Sequence, residues 1–308
     1  MMRFALHRSG QALIAAFGVV TLVFFIQRLT GDPVTLLLPE TATQADIEAM
    51  RSALGLDRPI WVQYFTFLGD MVRLDLGRSF VQNAPVWDIL ASRIPQTLQL
   101  AGGALFVALV IGLPLGLLMA LKRGSRVSRY SMGLVLACQS LPTFWSGIML
   151  ILVFGVQLRW LPSSGTGTLA HLIMPSIALG LLSLATFARI ARASVVDELG
   201  KDYVRSARAR GVGTGRLVRR HLLRNALIPV ISITALEVSQ LLAGAVIVET
   251  VFAWPGLGQL TVQSIAARDF VVVQAVVLLG AFVTIGANLA ADILYSVVDP
   301  RVKLRGTT

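Results

Sequence analysis

The chain has 308 residues, of which 55% are apolar and only 14% are charged. This composition excludes an ordinary soluble domain, and several windows reach the roughly 20 apolar residues that a membrane-spanning helix requires. The formal net charge of +11 lies mostly in loops between apolar segments, where topology and anionic lipid favour basic residues, so it does not indicate nucleic-acid binding. We predict an all-α integral membrane protein, because helices satisfy their own backbone hydrogen bonds in lipid and the alternating pattern of a membrane barrel is absent from the sequence.

Six apolar segments are expected to cross the membrane. The first follows Arg3 and Arg8, and it is interpreted as a retained span because it is long and lacks a clear cleavage site. Lysine and arginine are concentrated before the first segment, between the second and third, between the fourth and fifth, and after the sixth. Basic pieces of this kind stay in the cytoplasm, which predicts that both termini are cytoplasmic. The six segments are residues 9–29, 96–121, 130–158, 169–188, 226–252 and 271–298.

The polar stretch 30–95 is mixed in charge, and we expect it to form a small external subdomain. A helix is predicted from Thr43 to Leu54, with Thr43 as its N-cap and Gly55 as its end. An aromatic group follows that either lies at the membrane interface or packs the subdomain's own core. Its members are Trp61, Tyr64, Phe65 and Phe67.

The most basic stretch is residues 197–225, between the fourth and fifth spans. Tyr203, Ala207 and Gly211 recur at intervals of four and share one face of a predicted helix. Ala207 and Gly211 are small, so this face lets another protein's surface approach the backbone. Three alternate glycines from Gly211 onward predict the end of the helix, and a second short helix is expected over 216–223.

Polar side chains inside the spans are candidates for a translocation path. Glu237 and Gln240 lie within the fifth span, and ionisable residues in spans usually face the bundle interior or a water-filled path. The alternative is hydrogen bonding between helices. Asp292, near the end of the sixth span, is expected to pair with an arginine. No metal site is predicted, because the histidines are far apart in sequence: His7, His171 and His221.

Motifs of catalysis are missing from the sequence. It contains no Gly-x-x-x-x-Gly-Lys-Ser/Thr phosphate loop, which would hold ATP, and neither His-Glu-x-x-His nor Gly-x-Ser-x-Gly. The single cysteine, Cys138, excludes an internal disulfide. We therefore predict no catalytic residue and no bound cofactor in this chain.

Several sequence blocks resemble those of binding-protein-dependent ABC importer permeases, and most closely the dipeptide, oligopeptide, glutathione and nickel branch. In the basic stretch, Ala207, Gly211 and Leu223 match the general consensus of these permeases, whereas Arg205, Ser206, His221 and Arg224 depart from it; an arginine at position 205 is common in this branch. The blocks that resemble the branch, spread over nearly the whole chain, are Gly31-Asp32-Pro33-Val34, Leu54-Gly55-Leu56-Asp57, Asp75-Leu76-Gly77, Tyr203-Val204-Arg205, 207–211, 223–226, 252–258 and Asp299-Pro300-Arg301.

The resemblance implies a type I ABC importer permease fold in the inner membrane of a bacterium. Its domains would be residues 1–29 with the first span, the external subdomain 30–95, and a transmembrane domain 94–299. Residues 197–225 would form a coupling loop that docks on a cytoplasmic ATPase. The docking residues that the resemblance implies are Tyr203, Arg205, Ala207, Arg208, Gly211, Leu223 and Arg224.

The resemblance also implies partners. They are a homologous second permease, two ABC ATPase subunits that carry ATP and magnesium, and an extracytoplasmic solute-binding protein. The contact surface for the binding protein is expected in the external subdomain and at Trp254, Pro255 and Gly256. Membrane lipid surrounds the assembly.

The function expected from the resemblance is that of a non-catalytic permease subunit which imports di- and oligopeptides. Nickel or another metal chelate, and glutathione, are alternative substrates for the same machinery. A self-contained secondary transporter is the alternative of another class, although it would usually show repeated halves and a site for a coupling ion.

Overall fold

Long helices make up most of the computed structural model, which describes residues 2–29, 43–53, 55–79, 81–218 and 223–298. The described residues also contain one short antiparallel sheet of two strands, β1 (Arg78–Ser79) and β2 (Ala84–Pro85). The helices are α1 (Met2–Leu29), α2 (Gln44–Ala53), α3 (Ile60–Val72), α4 (Val86–Leu121), α5 (Arg126–Ser140), α6 (Thr143–Leu150, continued as a π-helix over Ile151–Gln157), α7 (Leu169–Leu199), α8 (Asp202–Ala209), α9 (Thr214–Leu217), α10 (Leu223–Val251), α11 (Leu257–Ala266) and α12 (Phe270–Val298).

Five described helices are long and apolar enough to cross a membrane, and α5 with α6 makes a sixth if the bent pair counts as one span. The five are α1, α4, α7, α10 and α12. Helix α4 has 36 residues, about 54 Å at 1.5 Å per residue, whereas the hydrocarbon core of a bilayer is about 30 Å thick. Its start at Val86, ahead of the expected 96, therefore adds turns that project beyond the lipid. The all-α, multi-pass membrane fold is confirmed.

The third predicted span is not one helix. Residues 130–158 were expected to be continuous, but α5 and α6 meet at an angle of 103°. Leu141 and Pro142 separate them, both with extended backbone angles. Proline disfavours the α conformation of the residue before it and cannot continue the hydrogen-bond ladder. The segment predicted as the third span is therefore two helices, because Pro142 ends the first of them.

The bundle has a basic end and an opposite end. The basic end holds the start of α1 and α5, the end of α4, α7 and α12, and the loop between α7 and α10. There, an oxygen of the Asp292 carboxylate lies 3.2 Å from the guanidinium of Arg8. The expectation that Asp292 pairs with an arginine is confirmed, and the pair ties α12 to α1.

Close packing of α4 against α7 forms the centre of the bundle. A Cβ added at Gly112 would lie 2.8 Å from the carbonyl oxygen of Leu184, and one added at Gly116 would lie 2.4 Å from that of Ala188. Small residues in membrane helices allow such backbone approach. Helix α10 packs on α7 from another side, and the two share a buried apolar cluster that includes Met174.

The described part of the segment between α1 and α4 contains the predicted helix as α2. The hydroxyl of Thr43 accepts a hydrogen bond from the backbone N–H of Asp46, and the Asp46 carboxylate accepts one from the backbone N–H of Thr43 (2.9 Å). This reciprocal arrangement is a capping box. Gly55, at a φ of 66°, follows the helix, as the sequence predicts.

Helix α3 carries the aromatic group, which was expected either at the membrane interface or in the subdomain's own core. The Tyr64 and Phe67 rings lie 5.3 Å and 5.5 Å from the ring of Phe24 on α1. Trp61 and Phe65 instead remain 63% and 65% exposed. Two members therefore pack the junction with α1, and two face outward.

Candidate functional site

The basic stretch folds into two short helices beyond the end of α7. Helix α8 ends at a glycine in the left-handed region, Gly211, with a φ of 75°. The N–H of Val212 donates to the carbonyl of Ala207 (3.1 Å), and the N–H of Gly211 donates to that of Arg208 (2.9 Å). These two bonds define a Schellman motif, which satisfies carbonyls at the end of the helix. Helix α9 lies over Thr214–Leu217, earlier than the expected 216–223, and 219–222 lie outside the described residues.

One face of α8 is packed against the chain itself. Val204 and Ala207 are 0% and 5% exposed, in a cluster with Leu217 and Val218. Leu117, from the basic end of α4, also contacts this cluster. The face expected to meet another protein is therefore turned inward at Ala207, because Val204 beside it is apolar and brings this side of the helix onto the bundle.

The end of α7 is joined to the start of α8 by a buried carboxylate. Glu198 is 8% exposed, and the Tyr203 hydroxyl donates to it at 2.6 Å. The Lys201 ammonium also donates to this carboxylate. A carboxylate near a helix C-terminus is unfavourable beside the negative end of the dipole, and these two donors offset that cost. Sequence reasoning expected Tyr203 to face a partner and gave Glu198 no role, although Glu198 and Lys201 lie three residues apart, a spacing typical of ion pairs.

The outward face of α8 is basic and carries small residues. Arg205 and Asp202 lie on it with their charged groups 3.6 Å apart and mostly exposed. Ser206 and Ala209 are exposed between them and the end of the helix. Arg208, Arg210 and Gly211 are exposed nearby, while Leu223 and Arg224 start α10 with side chains outside the described part. The surface open to another protein is thus this neighbouring face.

The candidate path residues in α10 have different surroundings. Glu237 is 5% exposed and accepts a hydrogen bond from the hydroxyl of Ser183 on α7. This geometry matches the alternative of a hydrogen bond between helices. Gln240 is exposed on the surface of the chain. The structure does not bring the two side chains together.

At the opposite end of the bundle, Glu249 holds the start of α11. Its side chain is 0% exposed, and one carboxylate oxygen accepts from the backbone N–H groups of Gly258 (2.7 Å) and Gln259 (3.0 Å). The other oxygen accepts from the Thr97 hydroxyl (2.6 Å), which itself accepts from the N–H of Leu257 (2.8 Å). The first N–H groups of a helix lack partners within it, so this network supplies them from α10 and α4.

Trp254 and Gly256 lie inside this network and not on the surface. The Trp254 side chain is 1% exposed, and its ring N–H donates to the carbonyl of Gln96 at 2.9 Å. A Cβ at Gly256 would lie 2.1 Å from the Glu249 carboxylate. The expectation that Trp254 and Gly256 form an exposed contact surface is wrong, because the turn folds over the buried carboxylate. Pro255 is half-buried beside them.

The described residues hold no group of three or more His, Cys, Asp or Glu side chains that could bind a metal ion. The sites described above are hydrogen-bonded junctions between helices and a basic outward face of α8.

Comparison with known proteins covers almost the full length of the chain. Residues 112–304 match the family described as "Binding-protein-dependent transport system inner membrane component". Residues 1–101 match "Binding-prot-dependent transport system membrane comp, N-term". The two matches together include the basic loop and the described part of the segment between α1 and α4.

Curated relatives are similar over their whole length as well. The dipeptide transport system permease protein DppB of Escherichia coli K12 is 38% identical over 98% of this chain and 99% of its own. The glutathione transport system permease protein GsiC of the same strain is 40% identical over 99% of this chain and 100% of its own. The di/tripeptide transport system permease protein DppB of Pseudomonas aeruginosa is 39% identical over 98% of this chain and 99% of its own.

A solved structure has the same fold. A chain of the MetNI methionine ABC transporter, in an inward-facing conformation, superposes with a TM-score of 0.60 at 22% identity, over 70% of this chain and 98% of that chain. The likeness supports the type I importer permease fold. With the two matched segments and the full-length relatives, it shows that the chain belongs to the family of binding-protein-dependent transport system inner membrane components.

Proposed function

We propose that this chain is a transmembrane subunit of an ATP-driven ABC importer that translocates short peptides delivered by a solute-binding protein. The observation that carries the proposal is similarity over the full chain to permeases named for dipeptides, di/tripeptides and glutathione. Glutathione is itself a tripeptide, so these names share one chemical class of substrate. Import of nickel or a metal chelate by the same machinery is the alternative substrate class.

The basic loop supports a role in docking. Its outward face carries Arg205, Ser206 and Arg208 on α8, whose inward face is fixed to the bundle by Val204 and Ala207. A helix held rigidly on one side and exposed on the other can transmit a movement of its partner to α7. We assign the docking partner as one of two ABC ATPase subunits, which would bind ATP and magnesium, beside a homologous second permease.

The distribution of charge supports one orientation in the membrane. The basic end carries the exposed arginines of the α7–α10 loop and of the turn before α5, and short basic loops stay in the cytoplasm. In this orientation both termini are cytoplasmic, and the segment between α1 and α4 faces the solute-binding protein. The membrane is the bacterial inner membrane.

Co-purification tests the docking part of the proposal. The tagged chain is co-expressed with the products of its neighbouring genes and purified in mild detergent, as wild type, Arg208→Glu and Arg123→Glu. Both arginines are exposed at the basic end, but Arg123 lies in the turn between α4 and α5. We expect ATPase subunits to be retained by wild type and Arg123→Glu and lost from Arg208→Glu. Equal retention in both variants would overturn the assignment of α8 as the docking helix.

Transport assays test the substrate class. The purified assembly with its binding protein is reconstituted in vesicles, and uptake of a labelled dipeptide, glutathione and nickel is measured with internal ATP. Uptake of a peptide that requires ATP supports the proposal, and uptake of nickel alone contradicts it. If the isolated chain transports without any ATPase subunit, the chain is a self-contained secondary transporter.

A further inference from the structure

Helix α3 presents three different faces around its axis. Neighbouring residues are about 100° apart around an α-helix. Tyr64 and Phe67 share the face that meets α1, and Thr66 lies on a polar face. A third face, roughly 100° from the α1 contact, is apolar. It is formed by Trp61, Phe65, Leu68 and Val72, at intervals of four, three and four residues.

The contacts with α1 fix the position of α3 along the membrane normal. The Tyr64 hydroxyl lies 2.7 Å from the hydroxyl of Thr21, and Arg28 donates to the side chain of Gln63 at 2.9 Å. Thr21 and Arg28 belong to the last three turns of the candidate span Leu6–Leu29. Helix α3 therefore lies beside the span, at the level of one leaflet, and not above it in water.

The apolar face is exposed at this level. Trp61, Phe65 and Val72 are 63%, 65% and 85% exposed. Near the same end, α1 also exposes apolar side chains, with Ile26 and Leu29 52% and 85% exposed. An aqueous environment would leave these side chains unfavourably hydrated.

We propose that α3 is an in-plane membrane helix whose apolar face, Trp61, Phe65, Leu68 and Val72, inserts into the lipid of the leaflet at the opposite end of the bundle. Tryptophan and phenylalanine are typical of helices that lie at the boundary of headgroups and acyl chains. Arg58 and Arg73 are exposed just before and after the helix, where their long side chains can reach lipid phosphate. The proposal rests on α1 being a membrane span and is independent of the substrate.

Spin labelling tests which surface covers this face. Cysteine replaces Trp61, Phe65 or Thr66 in a full-length chain that carries Cys138→Ser, and each variant is labelled with a nitroxide. The chain, with the subunits that co-purify with it, is placed in vesicles of phosphatidylglycerol and phosphatidylethanolamine. Frequent collisions of the nitroxide with oxygen indicate that the label lies in lipid. Frequent collisions with a water-soluble nickel chelate indicate that it lies in water. Thr66→Cys, on the polar face, is the matched control.

We expect the ratio of oxygen collisions to nickel-chelate collisions to be several-fold higher at positions 61 and 65 than at position 66. A label at 61 and 65 that neither reagent reaches would show that a protein surface, such as a second permease, covers the face. Access of the nickel chelate to all three positions would show that the helix is in water. Either result would overturn the proposal.

A measurement on the native side chain covers the case in which the cysteine variants do not fold. The chain has five tryptophans. Subtracting the fluorescence of Trp61→Phe from that of the wild type gives the emission of Trp61 alone. Quenching of this difference by lipids brominated in the acyl chain is the expected result. Quenching by aqueous acrylamide and not by brominated lipid would contradict the proposal.

Discussion

Replacing Glu249 by glutamine should release the start of α11 from the bundle. The wild-type carboxylate accepts hydrogen bonds from the N–H groups of Gly258 and Gln259 on one oxygen and from the Thr97 hydroxyl on the other. Glutamine has the same shape, but one of its two terminal atoms is an NH2 group. With the NH2 turned toward Gly258 and Gln259, a donor faces donors. With it turned toward Thr97, the hydroxyl must accept from the amide, and its own hydrogen loses the carboxylate that it bonds in the wild type.

The size of the effect follows from this geometry. A hydrogen bond to a charged group contributes about 1.5–3 kcal/mol, and a buried donor without a partner costs a similar amount. The negative charge beside the positive end of the α11 dipole is also lost. Since 1.4 kcal/mol is a factor of ten in an equilibrium constant, local opening of the first turn of α11 should become about 10- to 100-fold more frequent.

Hydrogen exchange of the Gly258 and Gln259 amides measures this opening directly. The matched control is Thr250→Val, at the adjacent but exposed position, where the hydroxyl bonds only the carbonyl of Val246 on its own helix among the described contacts. Faster exchange is expected in Glu249→Gln and not in the control. If the two variants exchange at the same rate, the carboxylate does not hold α11, and the reasoning fails.

Three further predictions concern the rest of the described chain. Gly116→Ala should destabilise the bundle by about 1–3 kcal/mol through overpacking, since the new Cβ meets the carbonyl of Ala188. The control is Gly102→Ala on the same helix, where a Cβ meets nothing within 4 Å. Unfolding titrations of both variants measure the difference. Tyr203→Phe should make the α8 amides exchange about tenfold faster by removing its bond to Glu198, while Tyr130→Phe, at a residue that is 74% exposed, should not. Hydrogen bonds from Thr43 lower the pKa of Asp46, so the cap of α2 should be fully formed at neutral pH and weaken as pH falls through that lowered pKa. This should appear as lower protection of the α2 amides in acid, relative to their intrinsic exchange rates at the same pH, and Asp46→Asn should abolish the pH dependence.

The helices that span the membrane could be predicted because their signal is local. Long apolar runs bounded by basic loops specify α1, α4, α7, α10 and α12 almost independently of packing. The helix ends outside the lipid were harder to predict, because α4 and α7 continue beyond the membrane with polar residues that are also typical of loops. The break at Pro142 was missed because proline is tolerated within many membrane helices, and only packing decides whether it kinks or ends one.

The functional surfaces could be located but not oriented from the sequence. Spacing placed Tyr203, Ala207 and Gly211 on one helical face, but it does not say which way that face turns. The decision depends on Val204, whose burial against Leu217 and Leu117 brings Ala207 inward and leaves Arg205 and Ser206 outward. Those contacts join residues from separate elements, so a helical period alone cannot reveal them.

The buried carboxylates show most clearly that the sequence alone does not reveal contacts between separate elements. In the sequence, Glu198, Glu237 and Glu249 are each an acid within or beside an apolar segment. In the structure, each accepts a hydrogen bond from another element: Glu198 from the start of α8, Glu237 from α7, and Glu249 from α11 and α4.

A carboxylate in a membrane helix is costly wherever it lies, so its presence indicates a partner without naming it. Glu198 and Glu249 each hold a short helix at one end of the bundle, and Glu237 joins the two long helices, α7 and α10, that carry them. The short helices at the two ends of the bundle are therefore connected through side-chain hydrogen bonds and two packed spans. A movement imposed on α8 therefore reaches α7 through the bond between Glu198 and Tyr203, and it reaches α4 through the packing of Val204 and Ala207 near Leu117.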